Sequence, residues 1–330
     1  MKIAQKTVLV TGGCGFIGSH IVEALVKKGY KVRILDNLST GKLENIATLH
    51  PQDIEVIIGD VADLSTVDAA MQGCKYVFHE AAIASVPKSI NDPIGSSKVN
   101  YGATLNVLET ARKHSIHRVI FAGSAAAYGD EPTLPKIESI PANPITPYGV
   151  DKLASELLGH FYARTLGVEF VCLRYFNVFG LRQDPSSPYS GVISIFCDRI
   201  RQGLAPIIYG DGLQSRDFVH VSDVVAANLL VMEHPNATGK TFNVGRGVAT
   251  SLLDIVHILN DLTDQNLHPI YKESRPGDIR HSLANNAALR TLGWLPNISI
   301  REGLAELLET THTGLTHSHE RTNHVRGASR

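Results

Sequence analysis

Cysteine is scarce in this 330-residue chain. Cys14, Cys74, Cys172 and Cys197 are scattered without the paired spacing of metal ligands. They predict no metal centre; Cys14 in a glycine turn and Cys172 in an apolar run read as buried free thiols. No apolar run is long enough to span a bilayer, so no membrane segment is expected. Excess charge is also missing, since 31 Lys and Arg balance 32 Asp and Glu for a net charge of −1. Such a balance offers no electrostatic footprint for nucleic acid or an anionic membrane surface. No hydrophobic export segment precedes the first strand-like run, which predicts a cytoplasmic protein. What is present is an ordinary globular composition, 43% apolar and 19% charged, in a chain long enough for a large core and two lobes. The expected partners are small molecules or a second copy of the chain.

The apolar run Thr7-Val8-Leu9-Val10 leads directly into Thr11-Gly12-Gly13-Cys14-Gly15-Phe16-Ile17-Gly18-Ser19. Gly12, Gly15 and Gly18 are spaced G-x-x-G-x-x-G rather than G-x-G-x-x-G, followed by a helix-compatible segment from Phe16 to Lys28. A strand, a tight glycine turn and a helix N-terminus form a phosphate-binding geometry. Glycine permits close backbone approach, and the unpaired N–H groups at the positive end of the helix attract an anion. By itself the cluster also fits a flexible loop. A second β-like run, Lys31–Leu35, ends in Asp36, eighteen residues after Gly18. A carboxylate there accepts from both adenosine ribose hydroxyls and repels a 2′-phosphate, which predicts NAD rather than NADP.

Apolar β-type runs continue at Ile54–Gly59, Tyr76–His79, Val119–Ala122 and Val168–Arg174, separated by amphipathic stretches such as Leu64–Met71, Ser96–His114 and Pro147–Leu166. This rhythm predicts an α/β fold, a parallel sheet covered by helices on both faces, with ligands beyond the carboxyl ends of the strands. Asp60 and Val61 follow the third strand as candidate adenine contacts, with a helix N-cap as the alternative for Asp60. His79-Glu80-Ala81-Ala82 follows the fourth, where small residues admit the cofactor to the backbone. Leu181–Gly191 reads as a loop, and helical segments follow near 222–232, 251–262 and 300–308. The tail 310–330 carries His312, His317, His319 and His324 without apolar periodicity and is expected to be disordered rather than a metal site.

Tyr148 and Lys152 stand at i and i+4 of a helix entered through Pro147, hence on one face. An ammonium beside a phenol favours the phenolate, so Tyr148 is expected to titrate below its ordinary value and act as a general base. Tyr-x-x-x-Lys also fits an ordinary helix surface. Ser124, ending the run Phe121-Ala122-Gly123, supplies a hydroxyl to join Tyr148 and bond the reacting oxygen, or else serves a local turn.

With these motifs the sequence resembles the extended short-chain dehydrogenase/reductases, specifically the sugar-nucleotide epimerases, from about Lys6 to Leu308. The resemblance rests on the glycine loop, Asp36-Asn37, His79–Ala82, Ser124 four residues before Tyr128-Gly129, Tyr148-x-x-x-Lys152, Arg174-Tyr175-Phe176-Asn177, Ser215-Arg216-Asp217-Phe218 and Arg275-Pro276-Gly277-Asp278. It implies a Rossmann-type doubly wound parallel sheet with a smaller α/β C-terminal substrate lobe. Residues 1–176, with returning segments from the second half, would bind NAD; 177–309 would mainly bind substrate. Catalysis is implied at Ser124, Tyr148 and Lys152. Cofactor contacts are implied at Gly12, Gly15, Phe16, Ile17, Gly18, Asp36, Asn37, Asp60, Val61, Ala81, Ala82, Asn100, Tyr148, Lys152 and Tyr175. Ser85, Ser124, Asn177, Val192, Arg216, Arg275, Asp278 and Ser282 are implied to meet a UDP-sugar. For Arg216 and Arg275 a surface ion pair is the alternative. Relatives form homodimers through a four-helix bundle, and 96–114 with 147–166 correspond to its helices; their apolar residues also fit an internal core.

The family performs several reactions from one oxidised intermediate. Ala125 and Ala126 stand where resembling dehydratases and decarboxylases carry acids and where other epimerases carry a Cys, which leaves oxidation and re-reduction at C4. The segment Gly277–Asn285, and the Arg182–Pro185 and Tyr189–Ile193 stretches, resemble UDP-N-acetylglucosamine 4-epimerases. Ser282 replaces a bulky Tyr of enzymes restricted to UDP-glucose and UDP-galactose, leaving room for an acetamido group and for unsubstituted sugars as well. An ordinary loop serine is the alternative there. A dehydrogenase or reductase with net hydride transfer, and a non-enzymatic NAD sensor, share the glycine loop, Tyr148 and Lys152.

Overall fold

The computed structural model describes residues 6–184, 191–274 and 279–309. In chain order the first half runs β1 (Thr7–Thr11), α1 (Phe16–Lys27), β2 (Lys31–Asp36), β3 (Ile54–Ile58), α2 (Leu64–Met71), β4 (Cys74–His79), α3 (Val86–Asn91), α4 (Pro93–Ser97), α5 (Ala103–Lys113), β5 (Arg118–Ser124), α6 (Pro147–Phe161) and β6 (Phe170–Tyr175). The second half runs β7 (Asn177–Phe179), α7 (Val192–Arg201), β8 (Ile207–Tyr209), β9 (Ser215–His220), α8 (Val221–Glu233), β10 (Lys240–Val244), β11 (Ala249–Ser251), α9 (Leu252–Thr263), β12 (Ile270–Lys272), α10 (Ala287–Arg290) and α11 (Ile300–Glu309).

The expected doubly wound sheet is present: seven strands, all parallel, in the order β10-β6-β5-β4-β1-β2-β3. The strands are apolar on both sides because both faces are covered. Alternate residues divide between two cores. Val8, Val10, Ile34, Phe78, Ile120 and Val171 face one cluster, while Leu9, Leu35, Val77, Val119, Phe121 and Phe170 face the other. The chain order reverses between β1 and β4, so the crevice at their carboxyl ends is the place where this architecture binds a ligand. A third cluster, including Phe179, Phe196, Phe218, Ile255 and Leu304, unites α7, α9 and α11 with the small sheet β11-β9-β7. Among the described residues no helix is long and apolar enough to cross a membrane.

Local chemistry sets the helix starts. Asp63 caps α2 by accepting from Ser65 N at 3.0 Å, and Thr146 caps α6 by accepting from Gly149 N at 3.1 Å, just ahead of Pro147. The single helix expected over 96–114 is instead α4 and α5 joined by a wider π turn at Lys98–Gly102. Within that turn the Asn100 amide bonds both the N and the O of Ile83, at 2.8 and 3.2 Å. The helix widens where its side chain holds a neighbouring loop, a common cause of π turns at functional sites. Likewise 147–166 is α6 followed by a π turn at Tyr162–Leu166.

A buried ion pair joins β6 to α6. The guanidinium of Arg174 grips Glu156 through two bonds of 2.9 and 2.8 Å, both side chains being almost wholly enclosed. Thr241 of β10 donates to the same carboxylate, and the Tyr128 ring lies 4.6 Å from the Arg174 guanidinium carbon. Removing one member strands the other charge in the interior. Glu156→Ala is therefore expected to lose about 3–5 kcal/mol in urea unfolding. Glu109→Ala, which breaks an exposed pair with Arg112, should change stability by no more than about 0.5 kcal/mol. Equal losses would refute this ranking.

Candidate active site

At the crevice, the turn after β1 is built by the absence of side chains. Gly12 has a φ of +68°, and a Cβ there would lie 2.8 Å from Ala81 N; a Cβ on Gly18 would collide with the Gly12 carbonyl. Counted from Gly13, the loop Gly13-Cys14-Gly15-Phe16-Ile17-Gly18 does satisfy G-x-G-x-x-G, which the count from Gly12 overlooks. Gly15 is the N-cap of α1, with no side chain over the helix end. Asp36 ends β2 buried, its two carboxylate oxygens accepting from Cys14 N at 2.9 Å and Leu38 N at 2.8 Å. Each oxygen retains acceptor capacity for a ribose hydroxyl.

A cavity of about 370 Å³ follows this loop. Gly12, Gly15, Phe16, Ile17, Gly18, Asp36, Asn37, Val61, Ala81 and Ala82 all line it, together with Glu80 and Lys88, which sequence reasoning did not select. Asp60 is not part of its lining. Its carboxylate accepts from Ala62 N at 2.8 Å, and the helix cap falls to Asp63 instead. Asn100 is buried behind the cavity and reaches it through its grip on Ile83, which is in the lining. The fit to a dinucleotide is good: a side-chain-free cradle at a helix N-terminus, with a carboxylate at the end of the neighbouring strand.

A second cavity, of about 650 Å³, adjoins the first, with Ala84 in the lining of both. Ser124, Tyr148, Tyr175, Asn177, Arg216 and Ser282 open onto it, as do Ala125 and Ala126. Among its described lining residues there is no carboxylate and no thiol. Two expected substrate residues lie elsewhere: the Ser85 hydroxyl caps α3, accepting from Lys88 N at 3.1 Å, and Val192 opens α7 against the third core cluster. Arg275 and Asp278 lie outside the described residues, as do Tyr189 and the 310–330 tail.

Electrostatics at the junction correct one expectation. Tyr148 titrates above, not below, its ordinary value because burial penalises the phenolate; the Ser124 hydroxyl pulls it down and the Glu80 charge pushes it up. Lys152 stands on the same helix face as expected, but its ammonium donates to Ala122 O at 2.8 Å and lies 5.9 Å from the centre of the Tyr148 ring. Burial drives Lys152 down to about 8, with Glu80 opposing that shift. Glu80 is itself driven up to about 7 by burial, against the hydrogen bond from Tyr175 and the charge of Lys152. His79, wedged between Thr11 Oγ1 and Thr104 Oγ1, is pushed down to about 3 by burial and stays neutral.

A phosphate-binding crevice that adjoins a cavity lined by a phenol and a hydroxyl, with a buried ammonium behind them, fits a nucleotide-dependent oxidoreduction site. Residues 8–245 match the NAD dependent epimerase/dehydratase family, and the chain belongs to it. NAD is accordingly its cofactor. The UDP-glucose 4-epimerase of Mycolicibacterium smegmatis is 36% identical over 306 residues, covering 91% of this chain and 97% of that protein. Two solved structures are similar, each 38% identical. One is UDP-glucose 4-epimerase from Thermotoga maritima with UDP-glucose, with a TM-score of 0.89 over 94% of this chain and 99% of that one. The other is UDP-N-acetylglucosamine 4-epimerase from Methanobrevibacter ruminantium in complex with UDP-N-acetylmuramic acid, with a TM-score of 0.90 over 95% of this chain and 100% of that one.

Because the loop closes on itself at Gly18, adding one methyl must move backbone. Gly18→Ala is expected to weaken NAD binding about 10- to 100-fold, the effect of a forced ~1–3 kcal/mol adjustment. Calorimetric titration of NAD into cofactor-free protein measures it, with circular dichroism as the fold control. Unchanged affinity would contradict the cradle.

Proposed function

We propose that the chain is a 4-epimerase of UDP-hexoses that retains NAD through the cycle and acts on UDP-N-acetylglucosamine and UDP-N-acetylgalactosamine as well as UDP-glucose and UDP-galactose. The carrying observation is the lining of the larger cavity: Ser124 and Tyr148 face it together, with Ala125 and Ala126 beside them and no carboxylate, imidazole or thiol on the described wall. Elimination, decarboxylation and C3 or C5 inversion each need such a group. Inversion at C4 needs one proton acceptor, one hydride acceptor and room to turn.

Bound NAD supplies the hydride acceptor and later the donor. Tyr148 takes the O4 proton, and Ser124 bonds the same oxygen and favours the phenolate against the burial that opposes it; Lys152 holds the Ala122 carbonyl beside them. Gly12, Gly15, Gly18, Asp36, Asn37, Ala81 and Ala82 would hold the cofactor directly, Asn100 would hold the loop they face, and Tyr175 would border the reacting end. Asn177, Arg216 and Ser282, with Arg275 and Asp278, would hold the UDP-sugar. In this division 1–176 is mainly the cofactor part and 177–309 mainly the substrate part. The roomy sugar side supports rotation of a 4-keto sugar about its diphosphate before the hydride returns.

Ser282 in the wall supports the N-acetylated substrates; the UDP-glucose names of relatives support the unsubstituted pair. A homodimer belongs to the same reading. Leu105 of α5 and Val150, Leu157 and Phe161 of α6 are apolar and exposed at 38%, 50%, 59% and 45%, an apolar face suited to a helix-bundle interface. Four buried free cysteines suit a reducing cytoplasm.

Incubation with UDP-N-acetylglucosamine and, separately, UDP-glucose should yield the 4-epimer of each without lasting reduced-nicotinamide absorbance. No epimer from either sugar would sink the proposal, and a permanent absorbance change would favour a dehydrogenase. Ser282→Tyr is expected to lose the N-acetylated substrate preferentially; equal loss on both would remove the wall assignment. In sedimentation, the wild type should run as a dimer and Leu157→Glu as a folded monomer. A monomeric wild type would refute the interface.

A further inference from the structure

We propose that Glu80 is the counter-charge of the reacting centre, a carboxylate whose ionised form favours the cationic, oxidised nicotinamide over its neutral, reduced form. The inference rests on the 4-epimerase reading and concerns a residue to which that reading gives no part. Glu80 leaves β4 at the switch point, where its N donates to Thr11 O at 3.2 Å. Glu80 is in the lining of the cofactor cavity while its Oε1 accepts from Tyr175 Oη at 2.9 Å, and Tyr175 is in the lining of the substrate cavity. Asn228 Nδ2 donates to the same phenol at 2.8 Å, fixing it so that its hydrogen points at Glu80. The carboxylate thus stands where the two cavities meet, and hydride can pass between cofactor and sugar only at that junction.

Charge accounting gives this position its meaning. Among the described residues Lys152 is buried there without a carboxylate within ion-pair distance, and oxidised nicotinamide would add a second positive charge nearby. Two like charges in a low-dielectric site repel, and a carboxylate offsets them. When C4 is oxidised, its hydrogen would leave with both bonding electrons as hydride to the nicotinamide, and the O4 proton would pass by way of Tyr148 to solvent, Tyr148 being a phenol in both resting states. The ring's positive charge is cancelled, and Glu80 loses the partner it stabilised. Returning the hydride and the proton restores both. A negative charge at residue 80 therefore penalises the reduced state and keeps the protein from resting with a stranded keto sugar.

The test mixes purified holoprotein with UDP-glucose and reads the fraction of bound nicotinamide that is reduced, from its absorbance at equilibrium. Glu80→Gln keeps the acceptor for Tyr175 and removes the charge; the reduced-to-oxidised ratio should rise on the order of tenfold. Glu80→Asp, which keeps the charge, should stay near wild type. Ala84→Lys, at an exposed position bordering both cavities, adds a cation without disturbing Glu80 and should shift the ratio in the same direction as Glu80→Gln. An unchanged ratio in Glu80→Gln, or in Ala84→Lys should the amide variant not fold, overturns the inference; so does an equal rise in Glu80→Asp. Epimer formation by the wild type is scored in the same samples. Its absence would fail the underlying reading, whereas epimer formation with an unmoved ratio would fail this inference alone.

Discussion

The site depends on how closely the exits of β1 and β4 approach one another. Gly12 turns with a positive φ directly against the backbone of Ala81, and Gly18 in the first turn of α1 packs against the Gly12 carbonyl, with no space for a Cβ at either contact. Because the chain order reverses between β1 and β4, the crevice opens here and the N-terminus of α1 faces into it. The same approach delivers Glu80, Ala81 and Ala82 to the cofactor cavity and aligns Glu80 with Tyr175 at the end of β6. A side chain at the turn would disturb the glycine loop and the junction of the two cavities together.

Burial does the second part of the work. Polar groups at the strand ends are enclosed and therefore strongly shifted: His79 is kept neutral between two threonine hydroxyls, Glu80 and Lys152 are drawn toward neutral pH from opposite sides, and Tyr148 is held protonated. In the proposed cycle the positive charge of oxidised NAD would favour the phenolate, so Tyr148 would become competent as a base when the cofactor is in the form that accepts hydride. Lys152 bonds the Ala122 carbonyl rather than touching the phenol.

Much of the fold was legible because parallel strands covered on both faces are simple apolar runs. All six strands expected in the first part occur, with ends moved by at most two residues, and Leu64–Met71 is a helix over the expected span. The three-residue strands β7, β8, β11 and β12 have too little pattern to be read, and their pairing is set by tertiary contact. The break in 96–114 was hidden as well, because it arises from the hold of Asn100 on Ile83, a contact across seventeen residues. At the site, local motifs pointed to the glycine loop, Asp36, Ser124 and Tyr148. Glu80 stands inside the motif His79–Ala82, whose small residues carry the sequence signal for a cofactor while nothing local marks its carboxylate. Its role emerges only when β4 and β6 are set side by side, since neither residue of the Glu80–Tyr175 bond signals the other in sequence.

In the proposed cycle hydride leaves and returns to the same carbon within one closed site, with Tyr148 handling only the O4 proton. It is tested most directly with UDP-glucose carrying deuterium at C4, incubated in ordinary water without added NAD and followed by nuclear magnetic resonance. The account predicts that the 4-epimer forms with the deuterium still on C4 and none released to solvent. Epimer that has exchanged its C4 deuterium for solvent hydrogen would contradict it, because the C4 hydrogen would then have left as a proton rather than as hydride.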